Sequence, residues 1–299
     1  MSTLILINPH AAGGRARHLL PPMNAWLSSQ AMAMKPDIAM PESLKKAQHA
    51  IALQPKGSRI IVVGGDGTLH QMLPSLMQGQ HVVGLVPYGS GNDCARAWGL
   101  NKFTWQESLA FALQGSISDI DIGSIQLNHQ NVHYFHSSLA VGFDASVGNR
   151  ALAGPKFLRG LPRYLLATLR ELSHLKNWPI KVHVNGLLIH EGESLLASTL
   201  NTSTYGGGMP AVPHANLTDG QLNLLIGGRF NRMQTLLMLP RLLIGQHLGH
   251  PRIHCLPLTQ ATLTSSESVP VAADGEPLGM ASHLQIHVMP SALQVVKNA

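Results

Sequence analysis

Short apolar runs, each followed by a turn and then by a helical pattern, recur in the first part of the chain. The runs at 4–7, 59–63 and 81–86 are rich in Leu, Ile and Val, which is typical of buried strands. Helical spacing follows up to about residue 31, over 43–53, and after glycine-rich turns that end near residues 68 and 93. Strands that alternate with helices predict a three-layer parallel α/β sheet, in which ligand sites lie at the carboxyl ends of the strands.

The pattern changes near residue 120. The segments 119–125 and 133–141 alternate polar and apolar residues, and many short apolar runs separated by turns follow. Such a series predicts a β-sandwich. We therefore predict an α/β domain over 1–124 and a β-sandwich domain over 125–289, with the last strand, near 290–299, open to assignment to the first domain. The later runs lie at 180–184, 195–200, 222–226, 261–263, 269–272 and 284–289.

Two helical stretches interrupt the β region. In the first, leucines including Leu165 and Leu169 recur at helical spacing, with Arg163 and Arg170 on the opposite side. Lys156 and Arg159, just upstream, would continue this basic side. The second apolar and basic stretch spans 229–250. A core helix with solvated arginines is one interpretation of each stretch, and an interfacial surface that meets anionic lipid is the other.

Composition and charge narrow the class of partner. The chain has 299 residues, 44% hydrophobic and 12% charged, as expected of a globular protein with one large or two modest domains. A net charge of +6 favours an anionic partner, which can be a nucleotide, an anionic membrane surface or nucleic acid. Aromatic residues make up only 5% and do not alternate with Lys or Arg, so we expect no nucleic-acid partner.

Three further features bear on location. The two cysteines, Cys94 and Cys255, form neither a disulfide framework nor a zinc pattern, which favours a reducing compartment. The apolar run at 1–8 follows no basic region and is expected to be a first strand rather than a signal peptide. No stretch approaches ~20 uninterrupted apolar residues, so no transmembrane helix is expected. We expect a cytoplasmic protein, with peripheral contact to an anionic membrane left open.

A glycine-rich loop follows the strand predicted at 59–63. Glycines there permit left-handed backbone and leave no Cβ between the chain and a ligand, while the next helix turns its free N–H groups toward the loop. That arrangement binds phosphate, and a carboxylate beside a phosphate normally needs a cation between the two. A tight turn with an ordinary acidic residue is the alternative. The loop consists of Gly64, Gly65, Asp66, Gly67 and Thr68.

A second glycine loop follows the third predicted strand, and a breaker-rich turn follows the first. Because parallel strands end at one edge of their sheet, we expect the two glycine loops to meet there. In the breaker-rich turn, Arg15 is a further candidate phosphate contact, and the choice between Arg15 and Arg17 stays open. The second loop consists of Gly89, Ser90, Gly91 and Asn92, with Asp93 directly after it.

Further segments, taken with these loops, resemble one known family. The segments at 201–211, 215–222, 271–277 and 141–145, with Asn8 and its following proline, resemble the diacylglycerol kinase catalytic family, which includes bacterial soluble lipid kinases and the sphingosine and ceramide kinases. The resemblance covers nearly the whole chain in order. It implies ATP-dependent transfer of the γ-phosphoryl group to the hydroxyl of diacylglycerol or a related lipid alcohol, in a cleft between an α/β nucleotide domain and a β-sandwich lipid-substrate domain.

The resemblance also implies roles for single residues. Asn8 and the first glycine loop would hold nucleotide phosphates, with the second loop lining the same pocket. Asp66, Asp93 and Asp121 match acidic positions around a catalytic Mg²⁺ and its waters. Asp274 matches a general base. The dipeptide Asp274-Gly275 by itself predicts a hairpin turn, and such a turn can present the base.

Four more positions carry implied roles. Glu276 would support Asp274. Asp219 matches a carboxylate that binds a separate, structural Mg²⁺, with the backbone carbonyls of Asn216 and Gln221 as expected ligands. The chain departs from the family where Ser90 replaces the usual Thr, and Pro74 is expected to bend or shorten the helix after the first loop.

Two other functions remain open at this point. An NAD kinase-like phosphotransferase shares the first glycine loop. A catalytically silent lipid- or nucleotide-binding regulator would keep the same motifs without turnover. The pattern does not decide the lipid substrate, its acyl chains, the oligomeric state, or the need for an activating lipid or second metal.

Overall fold

A computed structural model describes residues 2–31, 35–155 and 158–298. The chain forms two compact units, which we call the N-terminal unit (Met1–Ile120 and Ser291–Ala299) and the C-terminal unit (Asp121–Pro290). Two strands, β5 (Ile117–Leu127) and β13 (Glu276–Val296), carry the chain from one unit into the other. No helix among the described residues is long and apolar enough to cross a membrane.

The N-terminal unit is built on a parallel sheet. Its strand order is β2-β1-β3-β4 followed by the end of β13, and every neighbouring pair is parallel. Residues along the central strands are buried on both faces, as expected of a sheet covered by helices on two sides. The predicted three-layer α/β fold is therefore confirmed. The strands are β1 (Thr3–Ile7), β2 (Asp37–Ala39), β3 (Arg59–Gly64) and β4 (Val82–Pro87).

Six α-helical segments among the described residues, with a 3₁₀ turn at Arg15–Leu19, surround this sheet. One face of the sheet packs Ile5 and Ile61 against Met23 of α2 and Leu109 of α6. Helix α4 continues through Pro74 to its end, so the predicted shortening is wrong; buried leucines on both sides of the proline hold the helix against its neighbours. The segments are α1 (Ala11–Gly14), α2 (Leu20–Ser29), α3 (Leu44–Ala52), α4 (Asp66–Gln78), α5 (Asp93–Ala97) and α6 (Trp105–Gln114).

The C-terminal unit is mainly antiparallel. Its strand order is β11-β10-β9-β7-β12-β13, with β8 paired to both β9 and β12, and its apolar residues form one large core. The predicted β-sandwich region is confirmed. The strands are β6 (Val132–Phe135), β7 (Ser138–Val141), β8 (Trp178–Val184), β9 (Leu187–Leu200), β10 (Leu222–Gly228), β11 (Ile253–Leu258) and β12 (Gln260–Ala273). Helices α7 (Phe143–Leu152), α8 (Leu161–Glu171) and α9 (Arg232–Leu243) complete it.

The structure corrects two details of this region. The alternating segment 133–141 is two strands rather than one, because the chain turns at His136 and Ser137 between β6 and β7. In α8, the predicted apolar face is wrong at Leu169, which is 51% exposed, while Glu171 is buried in an ion pair with Arg150. Helix α8 packs on α7, and that contact selects its inner face. Lys156, upstream of α8, lies outside the described residues.

Candidate functional site

Three adjacent strands of the N-terminal unit bring the predicted phosphate-binding segments to one edge of the sheet. Strand β1 ends directly before Asn8, β3 ends at Gly64, and β4 ends at Pro87 before the second glycine loop. Because β1, β3 and β4 are neighbours in parallel, their carboxyl ends lie side by side. This edge is where open α/β sheets bind ligands.

The two glycine loops touch backbone to backbone. A Cβ added to Gly89 would lie 2.5 Å from the Cα atom of Gly65, and a Cβ added to Gly65 would lie 2.7 Å from the Cα atom of Gly89. The N–H of Gly89 donates to Oδ1 of Asn92 at 3.0 Å, and the N–H of Tyr88 donates to the carbonyl of Gly64 at 2.7 Å. The expected meeting of the loops is observed, and only glycine fits at both contact positions.

Asn8 belongs to the same cluster. Its Nδ2 donates to Oγ1 of Thr68 at 2.8 Å, which joins the end of β1 to the first turn of α4. The residue that caps the start of α4 is Gly65, which has no side chain to accept the first N–H groups of the helix. A helix N-terminus of this kind favours an anion. The edge therefore offers the backbone donors that a phosphate needs.

Asp66 links the first loop to α5. Its Oδ2 accepts the N–H of Asp93 at 3.1 Å, and its Oδ1 accepts the N–H of Cys94 at 3.0 Å. Asp93, which is buried, pairs through Oδ1 with Arg96 at 3.0 Å. Since both oxygens of Asp66 already accept protein N–H groups, this pair of carboxylates fits a cation that keeps its waters, as Mg²⁺ does.

Arg15 and Arg17, the two candidates for a phosphate contact, each donate a hydrogen bond to a backbone carbonyl of the turn that contains them. Nε of Arg15 donates to the carbonyl of Ala12 at 3.3 Å, and Nε of Arg17 donates to the carbonyl of Gly14 at 2.7 Å. Both arginines are exposed. A phosphate contact by Arg15 stays a prediction.

In the C-terminal unit, Asp121 packs against the loop that holds the predicted structural metal site. Its Oδ2 accepts the N–H of Gly220 at 2.7 Å, and its own N–H donates to the carbonyl of Leu217 at 2.7 Å. Asp121 is only 2% exposed, whereas Asp219 is exposed and accepts the N–H of Gln221 at 3.0 Å. The structure thus brings Asp121 to the predicted metal loop.

The oxygen atoms of that loop are the kind of ligand that a hard cation such as Mg²⁺ prefers. The side chain of Asn216 accepts from the N–H of Thr218 at 3.2 Å, so it is the backbone carbonyl of Asn216 that is left as the predicted ligand. One carboxylate from Asp219 with the carbonyls of Asn216 and Gln221 is an all-oxygen set, and Mg²⁺ bound this way completes its shell with water. No cluster of three or more His, Cys, Asp or Glu side chains placed for a metal occurs in the part of the chain that the structure describes.

Asp274 occupies a tight hairpin turn between β12 and β13. Asp274 and Gly275 have φ of 50° and 83°, and Ala273 pairs with Glu276 across the turn. Two left-handed residues between paired strands are the pattern that an Asp-Gly hairpin predicts. Glu276, the predicted supporting acid, is therefore the first residue of β13.

The carboxylate of Asp274 is buried among backbone donors. Oδ1 accepts the N–H groups of Ser137 and Ser138 at 2.8 and 3.1 Å, and Oδ2 accepts the N–H of His136 at 3.0 Å. The side chain is 0% exposed, and Nε2 of His136 lies 3.5 Å from Oδ2. These hydrogen bonds hold the hairpin against the break between β6 and β7.

A buried asparagine, Asn201, connects Asp121 to His136, the residue whose N–H binds Asp274. Nδ2 of Asn201 donates to the carbonyl of Asp121 at 2.7 Å and to the carbonyl of His136 at 3.0 Å. Asn201 is fully buried. Asn201 belongs to the segment 201–211 that carries the family resemblance, but the sequence predicts no role for it. The feature that could have indicated a role is a polar residue directly after a buried strand.

A second group without a predicted role surrounds Asp144 at the start of α7. Oγ of Ser198 donates to its Oδ2 at 2.6 Å, and the N–H of Ala145 donates to its Oδ1 at 3.0 Å. Burial raises the pKa of Asp144 to about 7, although these hydrogen bonds act in the opposite direction. Burial, with the charge of Asp144 as a smaller cause, also raises the pKa of Tyr205. The available signal was an acid three residues after the end of a buried strand.

We expect Asp144 to make stability depend on pH. The pKa of Asp144 is about 7 in the folded state against 3.8 ordinarily, so the folded state keeps a proton that the unfolded state releases in this window. The free energy of unfolding therefore falls as pH rises from about 4 to 7, by at most about 1.4 kcal/mol per pH unit. Asp144→Asn should remove this slope. Urea unfolding of both proteins across the window measures it, and parallel curves would exclude Asp144 as the titrating group.

Family models match both units. The diacylglycerol kinase catalytic domain matches residues 2–125, and the YegS C-terminal NAD kinase beta sandwich-like domain matches residues 137–297. Together they include the two glycine loops, the Asp219 loop and the Asp274 hairpin.

Individual relatives agree with these matches. A diacylglycerol kinase of Mycobacterium tuberculosis (strain CDC 1551 / Oshkosh) is 31% identical over 255 residues, which are 84% of this chain and 81% of the relative. The crystal structure of a diacylglycerol kinase from Bacillus anthracis str. Sterne superposes with a TM-score of 0.68 at 18% identity, over 99% of this chain and 97% of that one. An NAD kinase from Archaeoglobus fulgidus, solved in complex with ATP, has a TM-score of 0.52 at 12% identity, over 100% and 94% of the two chains. The two superpositions show the shared fold, while the family models and the sequence identity show that the chain belongs to the diacylglycerol kinase catalytic family of lipid kinases.

Proposed function

We propose that the protein is an ATP-dependent lipid kinase that transfers the γ-phosphoryl group to the hydroxyl of diacylglycerol or a related lipid alcohol. The observation that carries the proposal is the contact between Gly65 and Gly89 at the carboxyl edge of the parallel sheet. Because neither glycine has a Cβ, one chain of phosphates can approach the backbone of both loops and the N–H groups at the start of α4. Family membership supports the lipid as acceptor.

In this proposal, the N-terminal unit binds and orients ATP. Asn8 holds Thr68 in place, and the N–H groups at the start of α4 receive phosphate oxygens. The bound Mg²⁺ would neutralise phosphate charge as the phosphoryl group moves, and Asp66 and Asp93 would hold its waters. Since the carboxylates of Asp66 and Asp93 are oriented by α5, they present fixed acceptors to such waters.

The C-terminal unit supplies the proton acceptor. We assign that role to Asp274, with Glu276 supporting it from the start of β13. Three backbone donors fix the direction of the Asp274 carboxylate, and in its ionised form a carboxylate takes a proton from a hydroxyl. Asp219, with the carbonyls of Asn216 and Gln221, would hold a separate structural Mg²⁺ next to Asp121.

The test is a kinase assay with γ-labelled ATP and Mg²⁺ on a total lipid extract presented in detergent micelles. We expect labelled lipid that comigrates with a phosphorylated glycerolipid or related lipid alcohol, and mass spectrometry of the product names the acceptor. Chelation of Mg²⁺ and omission of lipid are the controls. Absence of any labelled lipid across cations would contradict the proposal.

Two competing functions have distinct outcomes in the same assay. An NAD kinase-like phosphotransferase is favoured by the shared fold and by the first glycine loop, and it would label NAD rather than lipid. A silent regulator would bind ATP or lipid by calorimetry and label neither. Either result would replace the lipid kinase proposal.

A further inference from the structure

Helix α9 is apolar on two opposite faces. Its start is held by a reciprocal capping box between Asn231 and Gln234, and its inner face, with Thr235, Met238 and Leu242, packs on the core of the C-terminal unit. A helix that is apolar all round is normally buried all round. The outer face of α9 is not.

The outer face carries a continuous stripe of large apolar side chains in solvent. Met233 is 63% exposed, Leu236 40%, Leu237 66% and Ile244 64%. Met233, Leu236 and Leu237 follow the i, i+3, i+4 spacing, so they project from one side of the helix, opposite Thr235 and its neighbours. Ile244 follows directly after the last residue of the helix. Four such residues within one short segment form an apolar patch that a soluble surface rarely leaves open.

Only positive charge accompanies this stripe. The chain has no Asp or Glu from residue 221 to 266, while the same stretch contains four arginines. Arg232 and Arg241 flank the stripe on its two sides at helical spacing. Arg232 donates to the carbonyl of Ser173 and Arg252 to the carbonyl of Arg229, so these hydrogen bonds leave their charges unneutralised. None of the four pairs with a carboxylate within the described ranges.

We propose that the outer face of α9 docks the C-terminal unit on an anionic membrane, with Met233, Leu236, Leu237 and Ile244 in the headgroup boundary and the arginines against lipid phosphates. An apolar stripe bordered by cations is the pattern that binds in the plane of such an interface. A second copy fits worse, because a two-fold contact would bring the same arginines together without acids. Nucleic acid fits worse because the stripe contains no aromatic ring for stacking.

This inference deepens the proposed function and rests on it, since a kinase for membrane lipids has to reach a bilayer. The test needs neither ATP nor turnover: sedimentation with vesicles of phosphatidylcholine alone or mixed with phosphatidylglycerol. Wild-type protein should bind the mixed vesicles and bind neutral ones weakly. Leu237→Glu should weaken binding about tenfold or more, because it removes an apolar side chain that inserts into the lipid and adds a negative charge that the anionic lipids repel. Replacing Arg241 with Gln should weaken binding about fivefold on anionic vesicles only.

Leu53→Glu is the matched control, because Leu53 is 69% exposed at the end of α3 in the N-terminal unit. It should bind vesicles as the wild-type protein does, and circular dichroism confirms that each variant folds. Equal binding by Leu237→Glu and wild type, or equal loss in Leu53→Glu, overturns the inference. So does a wild-type dimer that Leu237→Glu dissociates without vesicle binding. Activity on lipid in micelles, unchanged in Leu237→Glu, separates failure of this inference from failure of the kinase proposal.

Discussion

Asp274→Asn should lower the rate of phosphoryl transfer by about 10²–10⁴-fold and leave ATP affinity nearly unchanged, as expected when a general base is removed. The candidate phosphate-binding loops belong to the N-terminal unit, whereas Asp274 lies in the hairpin of the C-terminal unit. Single-turnover rates with labelled ATP and calorimetric ATP binding measure the two effects. Full activity in Asp274→Asn would remove Asp274 from the mechanism.

Asp274 also has a structural role, and the experiment has to separate the two. Its carboxylate accepts three backbone N–H groups, so an amide in its place turns an NH₂ group toward at least one donor. We expect a loss of about 1–3 kcal/mol in the free energy of unfolding. Thermal unfolding of the variant sets an assay temperature at which it remains folded.

The dependence of the rate on pH distinguishes a catalytic role of Asp274 as a base from a purely structural role in the hairpin turn. If Asp274 is the base, its loss removes the step that its ionisation causes in the plot of rate against pH. If Asp274 only holds the turn, its loss lowers the rate equally at every pH. Glu276→Gln is the companion variant, because Glu276 belongs to the same hairpin but pairs through its backbone with Ala273. We expect a smaller loss in Glu276→Gln, and an equal or larger loss would exchange the two proposed roles.

Gly89→Ala should separate the two glycine loops. The new Cβ would lie 2.5 Å from the Cα atom of Gly65 and 2.6 Å from Oδ1 of Asn92, so the backbone has to move. Such overpacking costs about 1–3 kcal/mol of stability. A displacement of about 1 Å in a positioning element lowers turnover by about 10²-fold. ATP affinity and kcat/KM should both fall.

Gly148→Ala is the matched control for this change. Gly148 lies inside α7, and a Cβ there would meet nothing within 4 Å. The same substitution should therefore stabilise the helix by about 0.5–1 kcal/mol without affecting ATP binding. If Gly89→Ala binds ATP as tightly as Gly148→Ala does, the contact between the loops does not form the phosphate site.

Local patterns were enough to predict the elements around the site. The apolar runs before Gly64 and Gly89 predict buried strands, and parallel strands end at one edge, so the meeting of the two loops follows from the sequence alone. The Asp274-Gly275 turn was equally predictable, because two left-handed residues between strands have few alternatives. These features depend on interactions between residues close in the chain or on a rule of sheet topology.

Only the tertiary structure determines which backbone groups form hydrogen bonds with the carboxylates of the candidate site. The sequence does not indicate that Asp66 accepts N–H groups at the start of α5, or that Asp274 interrupts a strand by binding at His136. It also does not indicate which apolar side of a helix faces solvent: the core-helix interpretation of α8 places Leu169 inside, but Leu169 is exposed, as is Leu237. Hydrophobic spacing marks a face as apolar, but the packing of distant elements determines whether that face is covered.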